Sequence, residues 1–375
     1  MKKGIVNVLH ITTDDKFFDS VFDEWKQDKH FMNKALFVSL WGNHKFKHIK
    51  NKENVDVIFG CKHIKEYLRF SDYDLVFFHS LPPRYYRLVK YIPDDKIVIW
   101  WMWGYDVYYS LRMIPALINI DLYKPITKHY VNNCFKPKEL LLNLLWWMMR
   151  KKTRKDRDYA IGRIDFFQPV LKNEYDLIKR IPQFRAQEFY YKNSWLSFSS
   201  VLPKKADGDI LIGNSATTTN NHLDVLNIIM NIKQPCQNII MPLSYGNKEY
   251  TEWLNNKINN DSVIKLHDFM PKEDYFRLLN KCSYAIIGTL RQQAIGNVSF
   301  VLSQGIKLFL YRDSIIYKNY KELGFVVYTI EDMTMDSLKT PLTKDEIDIN
   351  IKASIKEYNR RNTIYEHFIN CMNNI

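Results

Sequence analysis

Short, nearly continuous apolar runs rich in β-branched and aromatic residues alternate along this chain with segments of helical apolar spacing, and they do so in two series. The first reads IVNVLHIT at 5–12, ALFVSL at 35–40, VDVIF at 55–59, DLVFFHS at 74–80 and KIVIWWMW at 96–103. Between these runs, FFDSVFDEWKQ, CKHIKEYLRF and PRYYRLVKYI set apolar residues three and four apart, as helices do. A strand that is apolar on both sides is covered on both sides, so the pattern predicts a parallel sheet between two layers of helix. After the loop VLPKKADGD at 201–209 the rhythm resumes with ILIGNS at 210–215, NIIMPLS at 238–244, SVIKLH at 262–267, YAIIGT at 284–289, KLFLYR at 307–312 and FVVYT at 325–329. The expected fold class is α/β, with two Rossmann-like domains facing a central cleft at the carboxyl ends of their strands, where such sheets bind ligands. Residues 1–200 form the first expected domain and 201–342 the second. A helical segment at 343–375 is expected to cross back to the first.

A length of 375 residues suits two or three domains and excludes one small module. The five cysteines are odd in number and contain no C-x-x-C, so neither a disulfide framework nor a cysteine zinc site is expected. The first residues, MKKGIVNVLHITTDD, read as a strand and not as a signal peptide, because Asn7 and His10 interrupt the apolar stretch. No run of eighteen apolar residues occurs, which leaves peripheral association as the expected form of any membrane contact. Through residue 160 there are 28 Lys and Arg against 18 Asp and Glu; after it there are 26 against 23, so the excess of +13 is concentrated in the first half. Such a balance favours an anionic partner. The stretch ELLLNLLWWMMRKKTRKDR at 139–157 joins an apolar run to six basic residues and one acid between Arg150 and Arg157. It is either an interfacial segment meeting anionic headgroups or a buried helix followed by a solvated basic loop. No nucleic-acid-binding motif accompanies it, so nucleic acid is not an expected partner.

Three segments carry candidate chemistry. ILIGNSATTTNNHLDVL at 210–226 reads as strand, turn and helix start. Gly213 permits close backbone approach, and Asn214, Ser215 and Thr217 to Thr219 offer donors before a helix whose free N–H groups attract phosphate. The alternative is a plain cap at Asn220 or Asn221. The turn lacks G-x-G-x-x-G and the Walker lysine, which disfavours a dinucleotide or P-loop site. In GTLRQQAIGNVSFVLSQG at 288–305, Arg291, Gln292 and Gln293 stand between a strand end and an apolar helix, where a guanidinium can fork onto phosphate oxygens. In WWMWGYDVYYSL at 100–111, Asp106 follows Gly104 under several aromatics, as a general base for an acceptor hydroxyl or as a helix cap. His10, with Asp14 and Asp15, and His79 share the upper edge of the same sheet as secondary candidates for proton transfer. No D-x-D is present, and neither metal nor cofactor is expected.

Four motifs in order, W-G-x-D at 103–106, I-L-I-G-N-S with N-H at 221–222, M-P-L-S-Y-G with N-x-E-Y at 241–250, and R-Q-Q-x-I-G at 291–296, give a chain that resembles glycosyltransferase family 56 from about residue 95 to 325. The family's activity is transfer of TDP-4-acetamido-4,6-dideoxy-galactose to lipid II in enterobacterial common antigen synthesis. The resemblance implies a GT-B architecture at the cytoplasmic face of the inner membrane. Its partners would be a dTDP- or UDP-sugar donor, a polyprenyl-diphosphate-linked saccharide acceptor and the membrane surface itself. By position it implies donor contacts from Gly213, Asn214, Ser215, Asn221, His222, Arg291, Gln292, Gln293 and Gly296. Trp103, Gly104 and His79 fall on the acceptor side, with Asp106, His10 and Arg291 as catalytic candidates. Two other classes share the sequence features: a nucleotide-sugar epimerase or hydrolase of the same shape, and a noncatalytic peripheral membrane scaffold.

Overall fold

The structure is a computed structural model that describes residues 5–12, 18–39, 46, 49, 52, 55–59, 61–70, 72–109, 116–134, 138–191, 198, 201–232 and 238–373. The chain divides into two compact units. Unit 1 comprises Met1–Asn119, Lys138–Ser194 and Arg360–Ile375; unit 2 comprises Ile120–Pro137 and Trp195–Asn359. Beside the sequence division at 200 and 342, unit 2 takes in the stretch around 120–137, and the last helix is shared between the units.

Unit 1 holds a seven-stranded parallel sheet of β1 (Val6–Thr12), β2 (Phe31–Ser39), β3 (Val55–Phe59), β4 (Leu75–Phe78), β5 (Ile97–Trp101), β6 (Phe166–Gln168) and β7 (Gln187–Glu188), in the order β3-β2-β1-β4-β5-β6-β7. Its helices are α1 (Phe18–Lys26), α2 (Cys61–Phe70), α4 (Lys138–Arg163) and α5 (Lys172–Ile178); α3 (Pro125–Asn133) belongs to unit 2. β6 and β7 were not expected from sequence, since two or three residues carry too little periodicity to register. The segment PRYYRLVKYI is not a regular α-helix. Prolines at 82, 83 and 93 remove backbone donors at both ends, and the chain closes i to i+3 bonds instead, Tyr85 N–H to Pro82 O and Leu88 N–H to Tyr85 O, with a 3-10 turn at Leu88–Tyr91. Of the α4 residues 138–150, which include the apolar run of 139–149, the side chains lie outside the described residues.

The core of unit 1 gathers Val8, Trp25, Leu75, Phe77, Ile99 and Phe189 from the sheet and α1. Trp25 stacks on Tyr191 with centroids 4.4 Å apart. The last helix, α11 (Lys344–Met372), delivers Phe368 among Phe189, Phe166 and Phe31, with centroids 4.4, 5.0 and 6.3 Å away.

Unit 2 holds six parallel strands, β8 (Asp209–Ile212), β9 (Ile239–Pro242), β10 (Val263–Leu266), β11 (Cys282–Ile287), β12 (Lys307–Leu310) and β13 (Tyr328–Thr329), in the order β10-β9-β8-β11-β12-β13. Strand order reverses between β1 and β4 in the first unit and between β8 and β11 in the second, the position at which doubly wound sheets open a crevice beyond their carboxyl ends. The helices of unit 2 are α3 (Pro125–Asn133), α6 (His222–Asn231), α7 (Lys248–Lys257), α8 (Lys272–Leu279), α9 (Ile295–Ser303), α10 (Ile315–Glu322) and α11 through Asn359. α3 is tied to α6 by side chains standing in for a cap. The Asp224 carboxylate accepts from Ile126 N–H at 2.8 Å, Thr127 N–H at 3.0 Å and the Thr127 hydroxyl at 2.7 Å, and Asn221 Oδ1 accepts from Lys124 N–H at 2.8 Å.

Because Phe368 is 1% exposed among three aromatic rings, Phe368→Ala is expected to cost unit 1 about 3–5 kcal/mol in urea unfolding. A loss below about 1 kcal/mol would show that the tail is not part of this core.

Candidate functional site

In unit 2 the turns after β8 and β11 meet at the switch point. Gly213 has φ +67°, and its N–H donates to Ile286 O at 3.1 Å. A Cβ there would lie 2.8 Å from His222 Nε2 and 3.2 Å from Asn220 Oδ1, so conformation and space both demand glycine. On the facing strand, a Cβ at Gly288 would lie 2.5 Å from Asn220 O. The two turns are then joined by side chains. Gln293 donates from Nε2 to Thr217 Oγ1 at 2.7 Å and to Asn214 Oδ1 at 3.2 Å, and its Oε1 accepts from Thr219 Oγ1 at 2.5 Å. Asn220 Nδ2 reaches Ser215 O at 2.8 Å and Thr217 Oγ1 at 2.9 Å.

The resulting surface suits an anion. α9 starts from Ala294, held at φ +61° with no polar side chain to cap the helix, and no acid stands in its first turn. The first N–H groups of a helix have no partner within it and carry its positive dipole end. Gly296 sits in that first turn, and a Cβ there would meet nothing within 4 Å, so the approach is open. Arg291 is half-buried beside it, with Nη1 donating to Gln292 O at 2.5 Å.

Asn221 and His222, which the resemblance assigns to the donor side, lie beneath this turn. The Asn221 amide bonds Lys124 N–H, Gly288 O at 2.7 Å, Thr219 O and Leu122 O, bracing α3 against the two turns. His222 is fully buried, with Nδ1 3.3 Å from Tyr250 Oη, and burial pushes its pKa down to about 3, so it stays neutral. Tyr245, whose Oη accepts from Asn214 Nδ2 at 3.0 Å, escaped the sequence reading, while Thr217 and Thr219, expected to offer donors to a ligand, are bonded to Gln293 instead. Hydroxyl and phenol side chains carry no spacing signal of their own.

The switch point of unit 1 has a different character. His10 Nδ1 lies 2.9 Å from His79 Nε2, and His10 Nε2 lies 3.0 Å from Asn33 Oδ1. Asn33 Nδ2 donates to Trp25 O at 3.0 Å, which fixes its amide and leaves Oδ1 to accept. His10 therefore carries its proton on Nε2, and His79 donates from Nε2 to His10 Nδ1. Burial holds the His10 pKa at about 4 and His79 well below the usual imidazole value. Asp14 and Asp15 lie outside the described residues.

Asp106 is likewise inside. Its Oδ2 accepts from Leu81 N–H at 2.9 Å and from the Trp100 indole at 2.8 Å, while Oδ1 accepts from Trp103 N–H at 3.1 Å. Burial raises its pKa and these bonds oppose the rise. Gly104, at φ +84°, makes the turn that brings the carboxylate back over Trp103. The W-G-x-D motif thus pins the turn after β5 to the turn after β4, where Ser80 is held at φ +140° with its hydroxyl 2.5 Å from Tyr105 Oη. Trp103 packs on Trp101 with centroids 4.8 Å apart, and His79 lies 6.0 Å from the same Trp101 ring. Nearby, Tyr108 donates to the buried Glu174 carboxyl, whose other oxygen accepts from Leu171 N–H at 2.8 Å; burial pushes Glu174 up to about 8. Among the described residues no group of three or more His, Cys, Asp or Glu is arranged to hold a metal ion.

A family model described as 4-alpha-L-fucosyltransferase, glycosyl transferase group 56, matches residues 171–350, and across that stretch the chain is related to the family. Solved structures share the whole architecture at low identity. The N-terminal domain of Candida albicans trehalose-6-phosphate phosphatase aligns over 99% of this chain and 97% of its own, at 9% identity and TM-score 0.59. The UDP-forming alpha,alpha-trehalose-phosphate synthase of Burkholderia vietnamiensis aligns over 98% of both chains at 6% identity and TM-score 0.57. The lipopolysaccharide outer core galactosyltransferase WaaB covers 96% of this chain and 95% of its own, at 10% identity and TM-score 0.53. The fold is GT-B, two Rossmann-like α/β domains with parallel sheets.

Two measurements test these geometries. Asp106→Ala leaves two buried donors and one part-buried donor without their acceptor, at about 1–3 kcal/mol for each buried one, so a stability loss of about 3 kcal/mol or more is expected in urea unfolding. Unchanged stability with abolished turnover would return Asp106 to a chemical role. The pH profile of stability is set chiefly by four buried groups, with the raised Asp106 adding to the decline that Glu174 produces. His10, His79 and His222 bind protons more readily unfolded, so stability rises from pH 4 to about 6.5. Glu174 is protonated when folded and ionised when unfolded between 4.5 and about 8, so its contribution declines across that window. Urea midpoints are expected to peak near pH 6.5, and Glu174→Gln to flatten the fall toward pH 8. A midpoint that does not drop on acidification to pH 5 would contradict the neutral, buried histidines.

Proposed function

We propose that this chain is a glycosyltransferase that moves a sugar from a dTDP- or UDP-linked donor to a polyprenyl-diphosphate-linked saccharide. The observation that carries the reading is the joined pair of turns in unit 2, where Gly213, Gly288 and Gln293 assemble a smooth backbone edge beside Arg291 and the uncapped start of α9. That edge suits a diphosphate. As the bond from the anomeric carbon to the diphosphate oxygen breaks, its electron pair stays with the leaving group. The guanidinium and the helix N–H groups stabilise the charge that develops there. The acceptor hydroxyl oxygen forms the new bond and gives up its proton to the departing diphosphate oxygen, which the same step makes basic. Fixed positive groups supply what a divalent cation supplies elsewhere, so the transfer proceeds without metal.

Within this reading, Asn214, Ser215 and Gln293 shape the turn, while Arg291, Gln292, Gly213 and Gly296 face the donor. Trp103 belongs to the acceptor edge of unit 1, and the buried Gly104 and His79 support it from within. Asp106 and His10 act there through their neighbours: one holds Ser80 and Leu81 in place, the other fixes the His79 tautomer. Relation to the group 56 family over 171–350 supports the reaction class. The lipid-linked acceptor and a working place at the cytoplasmic face of the inner membrane are supported by the last turns of α4, where Lys151, Lys152, Arg154 and Lys155 are exposed and the neighbouring Asp156 is engaged by Lys90 at 2.5 Å. Among the described residues no helix is long and apolar enough to cross a membrane.

Calorimetry with dTDP and UDP tests the reading. Binding is expected to persist in EDTA and to weaken roughly 10- to 100-fold in Arg291→Ala, the effect of losing a charged hydrogen-bond donor. Absence of binding to either nucleotide would defeat it. Rapid consumption of the nucleotide sugar with no acceptor present would favour a hydrolase or epimerase instead.

A further inference from the structure

The M-P-L-S-Y-G motif carries an aromatic residue that the reading above leaves without a task. Tyr245 follows β9 in unit 2 and is 45% exposed, yet it is fixed from two directions. Its backbone is clamped to the turn after β8: Ala216 N–H donates to Tyr245 O at 2.7 Å, and Asn247 N–H donates to Ala216 O at 2.8 Å. Gly246, at φ +129°, lets the strands come this close, since a Cβ there would lie 2.3 Å from Ala216 O. Its phenol oxygen accepts from Asn214, the residue that Gln293 ties to the β11 turn. An exposed ring normally moves among rotamers; this one is held in place beside the anion-binding edge.

The two flanks of that edge differ. Beyond β12 lie two ion pairs, Arg312 with Asp332 at 2.6 Å and Lys124 with Asp313 at 3.0 Å. On the other flank, Tyr245 follows β9, one strand from β8, and Phe269, 70% exposed, follows β10, two strands away. Neighbouring strands are about 4.8 Å apart, so β9 and β10, which lead into these two residues, lie about 5 and 10 Å along the sheet from β8. That is the reach of a nucleoside from its own phosphates. We propose that the ring of Tyr245 is the platform on which the nucleobase of the donor stacks, so that the flat part of the ligand lies toward β9 and β10. The proposal rests on the donor reading of the β8 and β11 turns and adds a specificity-determining residue to it.

Calorimetry with UDP, dTDP and inorganic pyrophosphate separates the two claims. Tyr245→Ala is expected to weaken both nucleotides about tenfold, the usual effect of losing one stacking ring, and to leave pyrophosphate within twofold. Tyr245→Phe, which keeps the ring, is expected to retain nucleotide affinity. Equal nucleotide affinity in wild type and Tyr245→Ala overturns the stacking assignment while leaving the donor reading intact. Parallel losses for nucleotide and pyrophosphate also overturn it, because Tyr245 then only shapes the anion turn. Failure of wild type to bind either nucleotide overturns both. Wild-type protein gives a second readout by proton NMR: the UDP base protons H5 and H6 are expected to move upfield on binding, and base protons that do not move upfield count against stacking.

Discussion

The amide of Gln293 is the interaction on which the unit 2 site depends. It donates to Asn214 and Thr217 and accepts from Thr219, and so converts two turns separated by more than seventy residues into one rigid edge. Each partner is in turn committed: Thr217 accepts from Asn220, and Asn214 donates to Tyr245. A network linked in this way sets geometry more firmly than its separate bonds would, because one change breaks several bonds together. Its consequence is a division of labour. Polar side chains hold the turns, and the backbone N–H groups at the start of α9 with the Arg291 guanidinium are the groups proposed to meet the donor.

Unit 1 follows the same logic with a charge at its centre. Asp106 collects Leu81, Trp100 and Trp103 as donors, and thereby keeps the strained Ser80 where a relaxed backbone would not place it. The cost of burying a carboxylate is offset in part by those three bonds, and its pKa stays raised. Beneath it, the chain of bonds from Asn33 through His10 to His79 determines which nitrogen carries each proton. In both units the strand ends at the switch point are therefore held by side chains hydrogen-bonded across neighbouring loops.

Much of the architecture was legible in the sequence, because buried parallel strands need apolar residues on both faces and so stand out as runs. IVNVLHIT became Val6–Thr12 and VDVIF became Val55–Phe59. The two- and three-residue strands β6 and β7 left no such trace, and proline overrode the helical spacing of PRYYRLVKYI. At the sites, glycine was the most informative residue: Gly213 and Gly104 both turned out to sit at positive φ. The polar residues were harder to read. Asp106 and Asn221 have the chemistry of ligand contacts, and whether a carboxylate or amide faces solvent or its own backbone depends on loops that meet only after folding. Tyr245, Thr217 and Thr219 were invisible as partners for the same reason.

A crystal structure of the protein with bound UDP or dTDP tests the central claim most directly. Phosphate oxygens are expected within hydrogen-bonding distance of the Arg291 guanidinium and the first N–H groups of α9, over the Gly213 turn. Phosphates bound elsewhere, with Arg291 and Gly213 untouched, would contradict it.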